Sequence, residues 1–389
     1  MFPIDFRESP HFRAHYVDRE VLLATGEMLQ MLVEAFSKLP NLRTIGLRDY
    51  DANGRIRDGE RARWRSFGWS LLRLGDSQPN FRRELFRGEL GAGAPDQIYA
   101  LVHYALIKAA TRPHSIEVFL RRRTLSDLAF SYIDHPDTKD VSRGLKTLLL
   151  SLGERATGRN RYDYLARFLC RTPQLEHLRL NFRERPLCGF DAFFDWLGSP
   201  AQANLEAMPL AVEFPCLTTL EVGMLTTRPS MLVKIVSKFE ALKSLSLWKV
   251  SLSFSKAEQQ SSDTSPWPAF LLKLATAFKQ PQNIESIKIG WPSFRQHDTH
   301  ITQVSFARKV NVLANGEKEL EGAEQIVSFR KRVGFDAQQW LGELAGKVYT
   351  TAWAAGDTDD SESSEIESDM SEHPGIVHYE VTDTEEDDE

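Results

Sequence analysis

Residues 172–180 read TPQLEHLRL, and the last six carry leucine at their first, fourth and sixth places. Leu178 and Leu180 alternate with His177 and Arg179, which is the period of a strand with one buried face. Pro173, two residues ahead of Leu175, stops the preceding element and holds the chain extended so that a strand can begin. The hexad returns as LRTIGL (42–47), LKTLLL (145–150), LTTLEV (217–222), LKSLSL (242–247) and IESIKI (284–289). ITQVSF (301–306) is a weaker copy and SIEVFL (115–120) a degenerate one. LPNL and FPCL place Pro40 and Pro215 as TPQL places Pro173.

Segments with helical spacing lie between the hexads: 19–38, 163–170, 229–239 and 267–278. The order is helix, proline turn, strand, loop, and L-x-x-L-x-L followed by a helix is the leucine-rich-repeat unit. One such unit cannot cover its own apolar face, so neighbours must stack. The expected fold is therefore α/β: an irregular leucine-rich-repeat-like solenoid over residues 1–356, with parallel strands on the concave face and helices outside. FDAQQWLGELAGKVYTTAW (335–353) predicts an amphipathic helix that caps the last repeat.

Apolar content of 42% and charged content of 26% are those of an ordinary globular chain. Cys170, Cys188 and Cys216 are too few and too scattered for a disulfide framework, and no C-x-x-C pair suggests zinc. They read as buried thiols in a reducing compartment. The charged N-terminus has no signal-peptide stretch, no run reaches the length of a membrane span, and there is no N-x-[ST] sequon. These features predict an intracellular protein, cytoplasmic or nuclear.

DYDANGRIRDGE (49–60) matches the EF-hand loop through Asp49, Asp51, Asn53, Gly54 and Glu60. It follows a proline turn and a strand pattern where an EF-hand has a helix, and Arg55 and Arg57 set positive charge beside the ion position. Calcium sites gain affinity from negative ligands, so the stretch reads as a turn at Asp51–Gly54 leaving the first strand. Other chemistry is equally incomplete. His11 and His15 lack the glutamate of H-E-x-x-H, and His297 and His300 read as loop residues. GELGAGAPD (88–96) completes no phosphate loop and reads as a turn before a helix near Pro95. No G-x-S-x-G elbow is present. No catalytic residue, cofactor or metal is expected.

Of the 54 acidic residues, 15 lie between Asp357 and Glu389, where there is no Lys or Arg; all 48 basic residues lie in 1–356. The body thus carries about +9 and the tail −15. By composition 357–389 reads as a disordered acidic tail. The expectation is that it folds back transiently onto the basic clusters, more strongly if Ser364 or Thr382 is phosphorylated. Those clusters are Arg55, Arg57, Arg61, Arg63 and Arg65 around Trp64, then Arg121–Arg123, then Arg330, Lys331 and Arg332. Arginines interleaved with aromatics make nucleic-acid or polyanion binding the alternative function.

The short LxxLxL strands after proline turns, the irregular helix-containing repeats and the arginine-rich loop after RTIGLRDYD resemble the C-terminal regions of fungal F-box/leucine-rich-repeat proteins, over roughly residues 19–353. In that family an F-box docks on a ubiquitin-ligase adaptor while the repeats hold the substrate. No F-box-like L-P-x-E-[IL] helical segment precedes the first hexad in this sequence. The resemblance implies a non-enzymatic protein-protein interaction scaffold, a substrate-recognition component of such a ligase, with a protein partner and a ligase adaptor to bind. Within each hexad the residues between the apolar ones face outward. Arg43, Lys146, Glu176, His177, Arg179, Glu221, Lys243 and Lys288 are therefore the expected partner-contact positions.

Overall fold

Every clear hexad becomes a strand that starts at its third residue. In a computed structural model they are β1 (Thr44–Arg48), β3 (Thr147–Leu152), β4 (His177–Phe182), β5 (Thr219–Thr227), β6 (Ser244–Ser253) and β7 (Ser286–Gly290), with β2 at Ser115–Phe119. The structure describes residues 21–22, 24–48, 94–120, 123–153, 162–182, 190–200, 211–253, 265–296, 300–312 and 318–351. The EF-hand-like loop, the arginines of 55–65, His11, His15, Cys188, His297, Arg121, Arg122 and the acidic tail lie outside these residues.

The apolar residues at the first, fourth and sixth places go inward. Leu145, Leu175, Leu217, Leu242 and Ile284 are buried at the turn, and Leu178, Leu180, Leu220, Val222, Leu245 and Leu247 are buried along the strands. Each such side chain removed from water contributes about 1.5–3 kcal/mol. The turns repeat as well. The Lys146 carbonyl accepts from the Glu176 and His177 amides at 2.8 and 2.9 Å, and the Glu176 carbonyl accepts from those of Thr218 and Thr219 at 2.9 Å. That doubled bond joins each strand-entry turn to the next.

The register settles the degenerate copy. Ser115 pairs with Thr44 on one side and Thr147 on the other. The buried Pro113, not Ser115, therefore stands where the other copies have their first leucine. SIEVFL belongs to the series but two residues out of the phase the sequence suggests. It fills the widest gap between hexads.

The chain forms a mixed α/β fold with an open, mostly parallel 12-stranded sheet. From β1 to β6 spatial order is sequence order, all parallel. β7 and β8 (Ser293–Gln296) both pair parallel with β6. Beyond them the direction reverses. β9 (His300–Val312) is antiparallel to β8, to β10 (Lys318–Glu324) and to β12 (Val348–Thr351), and β11 (Ile326–Arg330) is antiparallel to β7. ITQVSF lies within β9 and so is not a further parallel copy. It follows β8 with too little chain for a crossover, which a parallel strand requires. His300 begins β9 and is not a loop residue.

Among the described residues the helices are α1 (Glu27–Ser37), α2 (Ala94–Lys108), α3 (Asp127–Tyr132), α4 (Thr138–Arg143), α5 (Asp163–Cys170), α6 (Phe190–Gly198), α7 (Pro229–Lys238), α8 (Trp267–Ala277) and α9 (Ala337–Ala345). The apolar faces of α2, α3 and α5 to α9 and the inward strand residues form one core, including Phe168, Phe182, Phe193, Trp196, Leu232 and Phe270. α2 starts beside Pro95, as the sequence suggests. Buried Asp96 accepts from the Ser126 amide at 2.9 Å, Ser126 caps α3, and Asp127 accepts from the Leu165 amide at 2.9 Å in α5. Successive helices are thus fastened by side-chain caps. α9 covers only part of the helix expected over 335–353. Gly346 ends it, and the β-rich stretch Val348–Thr351 joins the sheet instead. Cys170 and Cys216 are exposed, contrary to the buried thiols expected. One ends α5 and the other sits in a proline turn, both facing away from the core.

Candidate partner-binding face

Because the strands pair in register, the outward positions line up across the sheet. Lys146 and Glu176 form an ion pair at 2.8 Å, and Lys243 pairs with Glu285 at 3.0 Å. Each of these side chains is about half exposed or more, so solvent screens both pairs and they add little to stability. Arg43 is exposed at the first turn, and its carbonyl holds the His114 and Ser115 amides.

Three of the eight expected contact residues bind one another. Glu221 on β5 takes the His177 imidazole at 2.7 Å on Oε1 and the Arg179 guanidinium at 2.6 and 2.8 Å on Oε2, both from β4. Burial alone would raise the Glu221 carboxyl. The His177 hydrogen bond and the Arg179 and His177 charges outweigh it and hold the group at about 2. Arg179 also faces the Phe119 ring at 5.8 Å, with Arg48 at 5.1 Å from the same ring. This trio works as an inter-strand clasp.

The eighth residue, Lys288, is different. Its ammonium lies 4.9 Å from the centre of the Trp248 ring, and among the described residues it has no carboxylate within ion-pair reach. Trp248 sits in a row with Gly223 on β5 and Gly290 on β7. A Cβ on Gly223 would lie 2.9 Å from the Trp248 carbonyl, and one on Gly290 would lie 2.2 Å from its indole. A side chain at Gly290 would collide with the indole, and one at Gly223 with the Asn181 side chain and the Trp248 backbone.

The residue after each member of that row has a left-handed backbone: Met224 at φ 58°, Lys249 at φ 52° and Trp291 at φ 54°. Non-glycine residues there cost roughly 1–2 kcal/mol each. Each inserts one extra residue, so the buried phase slips from Val222 to Leu225, from Leu247 to Val250 and from Ile289 to Pro292. The slip stands in register on three neighbouring strands and leaves Met224, Trp248, Lys249 and Trp291 partly exposed. Sequence reasoning missed these four. The signal was legible: apolar residues spaced by three after the hexad in LEVGML, LSLWKV and IKIGWP.

No family model matches the chain, and no curated protein matches it either. The functional reading therefore rests on this face and on the chemistry around it.

At the proline-turn end a groove of about 1060 Å³ is lined by Phe214, Lys234, Lys238, Phe239, Lys243 and Lys279, among others. Lys234 and Lys279 pair with Asp195 and Glu240. The Lys238 ammonium donates to the Leu197 carbonyl at 2.9 Å. Burial lowers it to about 8, against the opposing pull of the Cys170 thiol and Glu213. Among the described residues no group of three or more His, Cys, Asp or Glu is placed to hold a metal. No described helix is long and apolar enough to cross a membrane.

Proposed function

We propose that this chain is a non-enzymatic protein-binding scaffold, built as a leucine-rich-repeat-like solenoid whose outward strand face receives the partner. One observation carries the reading: seven parallel strands, β1 to β7, stand in sequence order and in register. Their buried positions are almost all Leu, Ile or Val. Along a single row the positions between the core residues change from Glu117 through a buried Leu149 to Arg179, Glu221, Ser246 and Lys288. A regular frame with a varied face supports partner recognition in stacked repeats, though the frame itself does not name the partner.

The family resemblance extends this to a substrate-recognition component of an F-box-type ubiquitin ligase. Affinity purification of the tagged full chain from its native cells tests both levels. Recovery of a ligase adaptor and cullin with a further protein supports ligase membership, and a stable protein partner without them supports a plain scaffold. Absence of any stable protein partner, together with a turnover that a single substitution abolishes, would overturn the reading.

A further inference from the structure

We infer that Trp248, Lys249, Lys288 and Trp291 form the docking site for an acidic peptide segment of a protein partner, one that also carries an aromatic or branched apolar side chain. The inference rests on the scaffold reading and gives it a site and a ligand class.

Lys249 and Lys288 differ from the paired cations at β3, β4 and β6. Lys146, His177, Arg179 and Lys243 each have a glutamate partner within 3.0 Å. Lys249 and Lys288 are partly exposed on neighbouring strands, and neither has a carboxylate in reach among the described residues. Two cations without a carboxylate beside partly exposed indoles favour an anionic ligand with an apolar anchor.

Backbone geometry points to the same place. β1 to β4 have no positive-φ residue, whereas Met224, Lys249 and Trp291 take that conformation side by side. The parallel frame therefore forms without the kink, and strain retained where it is not needed marks function. The kink leaves Lys249 and Trp291 partly exposed next to Trp248, whose indole only a glycine at 290 makes room for. With strands about 4.8 Å apart, a row across three of them spans about 10–15 Å, or three to four residues of extended peptide.

A single-stranded nucleic acid would also stack on tryptophan, but it needs a continuous basic track. Here Lys146, His177, Arg179 and Lys243 are each paired with a glutamate, which interrupts any such track along the face.

The test measures fluorescence anisotropy on the full-length protein with four labelled probes: a twelve-residue peptide alternating acids with Leu and Phe, its Lys-for-acid counterpart, an acidic Gly/Ser peptide and a twelve-nucleotide poly-U RNA. The acidic apolar peptide should bind saturably and at least fivefold tighter than the others. Lys249→Glu with Lys288→Glu should weaken it tenfold or more, and Trp291→Ala similarly. Lys139→Glu with Lys273→Glu makes the same change in net charge on exposed residues elsewhere and should leave affinity within twofold, with circular dichroism confirming the fold of each variant.

Equal losses in both lysine pairs, or no saturable peptide binding, would overturn the site. Tighter binding of the RNA would overturn it in favour of nucleic acid. Peptide binding seen only after deletion of 357–389 would mean the chain's own acidic segment is the ligand, and the external partner would fall. If protein partners captured from cells survive Lys249→Glu with Lys288→Glu unchanged, this docking site is wrong while the scaffold reading stands.

Discussion

The indole of Trp248 occupies the space that a side chain on Gly290 would need: a Cβ built there would stand 2.2 Å from Cζ3 and 2.3 Å from Cε3. The two residues are register partners on β6 and β7, so neither can step aside without breaking the ladder. Gly290→Ala should force the ring off its place and away from Lys288. Overpacking of this kind costs about 1–3 kcal/mol. Thermal denaturation should show the loss, and near-ultraviolet circular dichroism a changed tryptophan signal. An unchanged melting temperature and spectrum would mean the ring is not seated there.

Lys249 should behave in the opposite way. Its φ of 52° suits glycine, so Lys249→Gly relieves strain of roughly 1 kcal/mol. The variant should melt higher while binding the acidic probe peptide more weakly. A lower melting temperature would show that the left-handed turn is not strained in context.

Acid stability has two groups of opposite sign. The folded Glu221 carboxyl lies at about 2, below its ordinary 4.5. Its contribution is therefore complete above pH 4.5 and is lost as pH falls toward 2. Glu221→Gln should weaken the protein at pH 7 by roughly 1–3 kcal/mol, and the gap should close by pH 2. Asp127 is raised to about 6, chiefly by burial and against its bonds to the Leu165 and Tyr164 amides. The fold favours its protonated form, so stability is lost as pH rises from about 4 to 6. Asp127→Asn should gain on the parent protein across that interval, because the amide oxygen still accepts from Leu165. Denaturant titrations at several pH values check both slopes.

Lys238 should be unusually reactive among the lysines. At about 8 its ammonium gives up its proton well before an exposed lysine near 10.5. Competitive labelling with acetic anhydride, read by mass spectrometry, should give half-maximal reactivity at Lys238 near pH 8. A midpoint near 10 would show that the ammonium is solvated and not lodged against Leu197.

Much of this architecture was written locally. The hexads gave strands from their third residue, and 163–170, 229–238 and 267–277 are helices with nearly the bounds their spacing suggests. A residue's burial period depends on its own neighbours along the chain, so Leu175, Leu178 and Leu180 announce themselves without reference to any other strand. Their pairing does not. That SIEVFL joins in a shifted phase, that ITQVSF runs antiparallel and that Val348–Thr351 leaves its helix for β9 all depend on which strand edge is open nearby.

The face follows the same division. Alternation alone placed His177, Arg179, Glu221 and Lys288 outward. Only the register of β4 against β5 brought the first three together, and only that of β6 against β7 set Lys288 against Trp248. Contacts across strands are set by non-local hydrogen bonding, which no single stretch of sequence contains. The local period determined what each strand buries, and tertiary pairing decided which outward charges neutralise one another and which are left without a carboxylate.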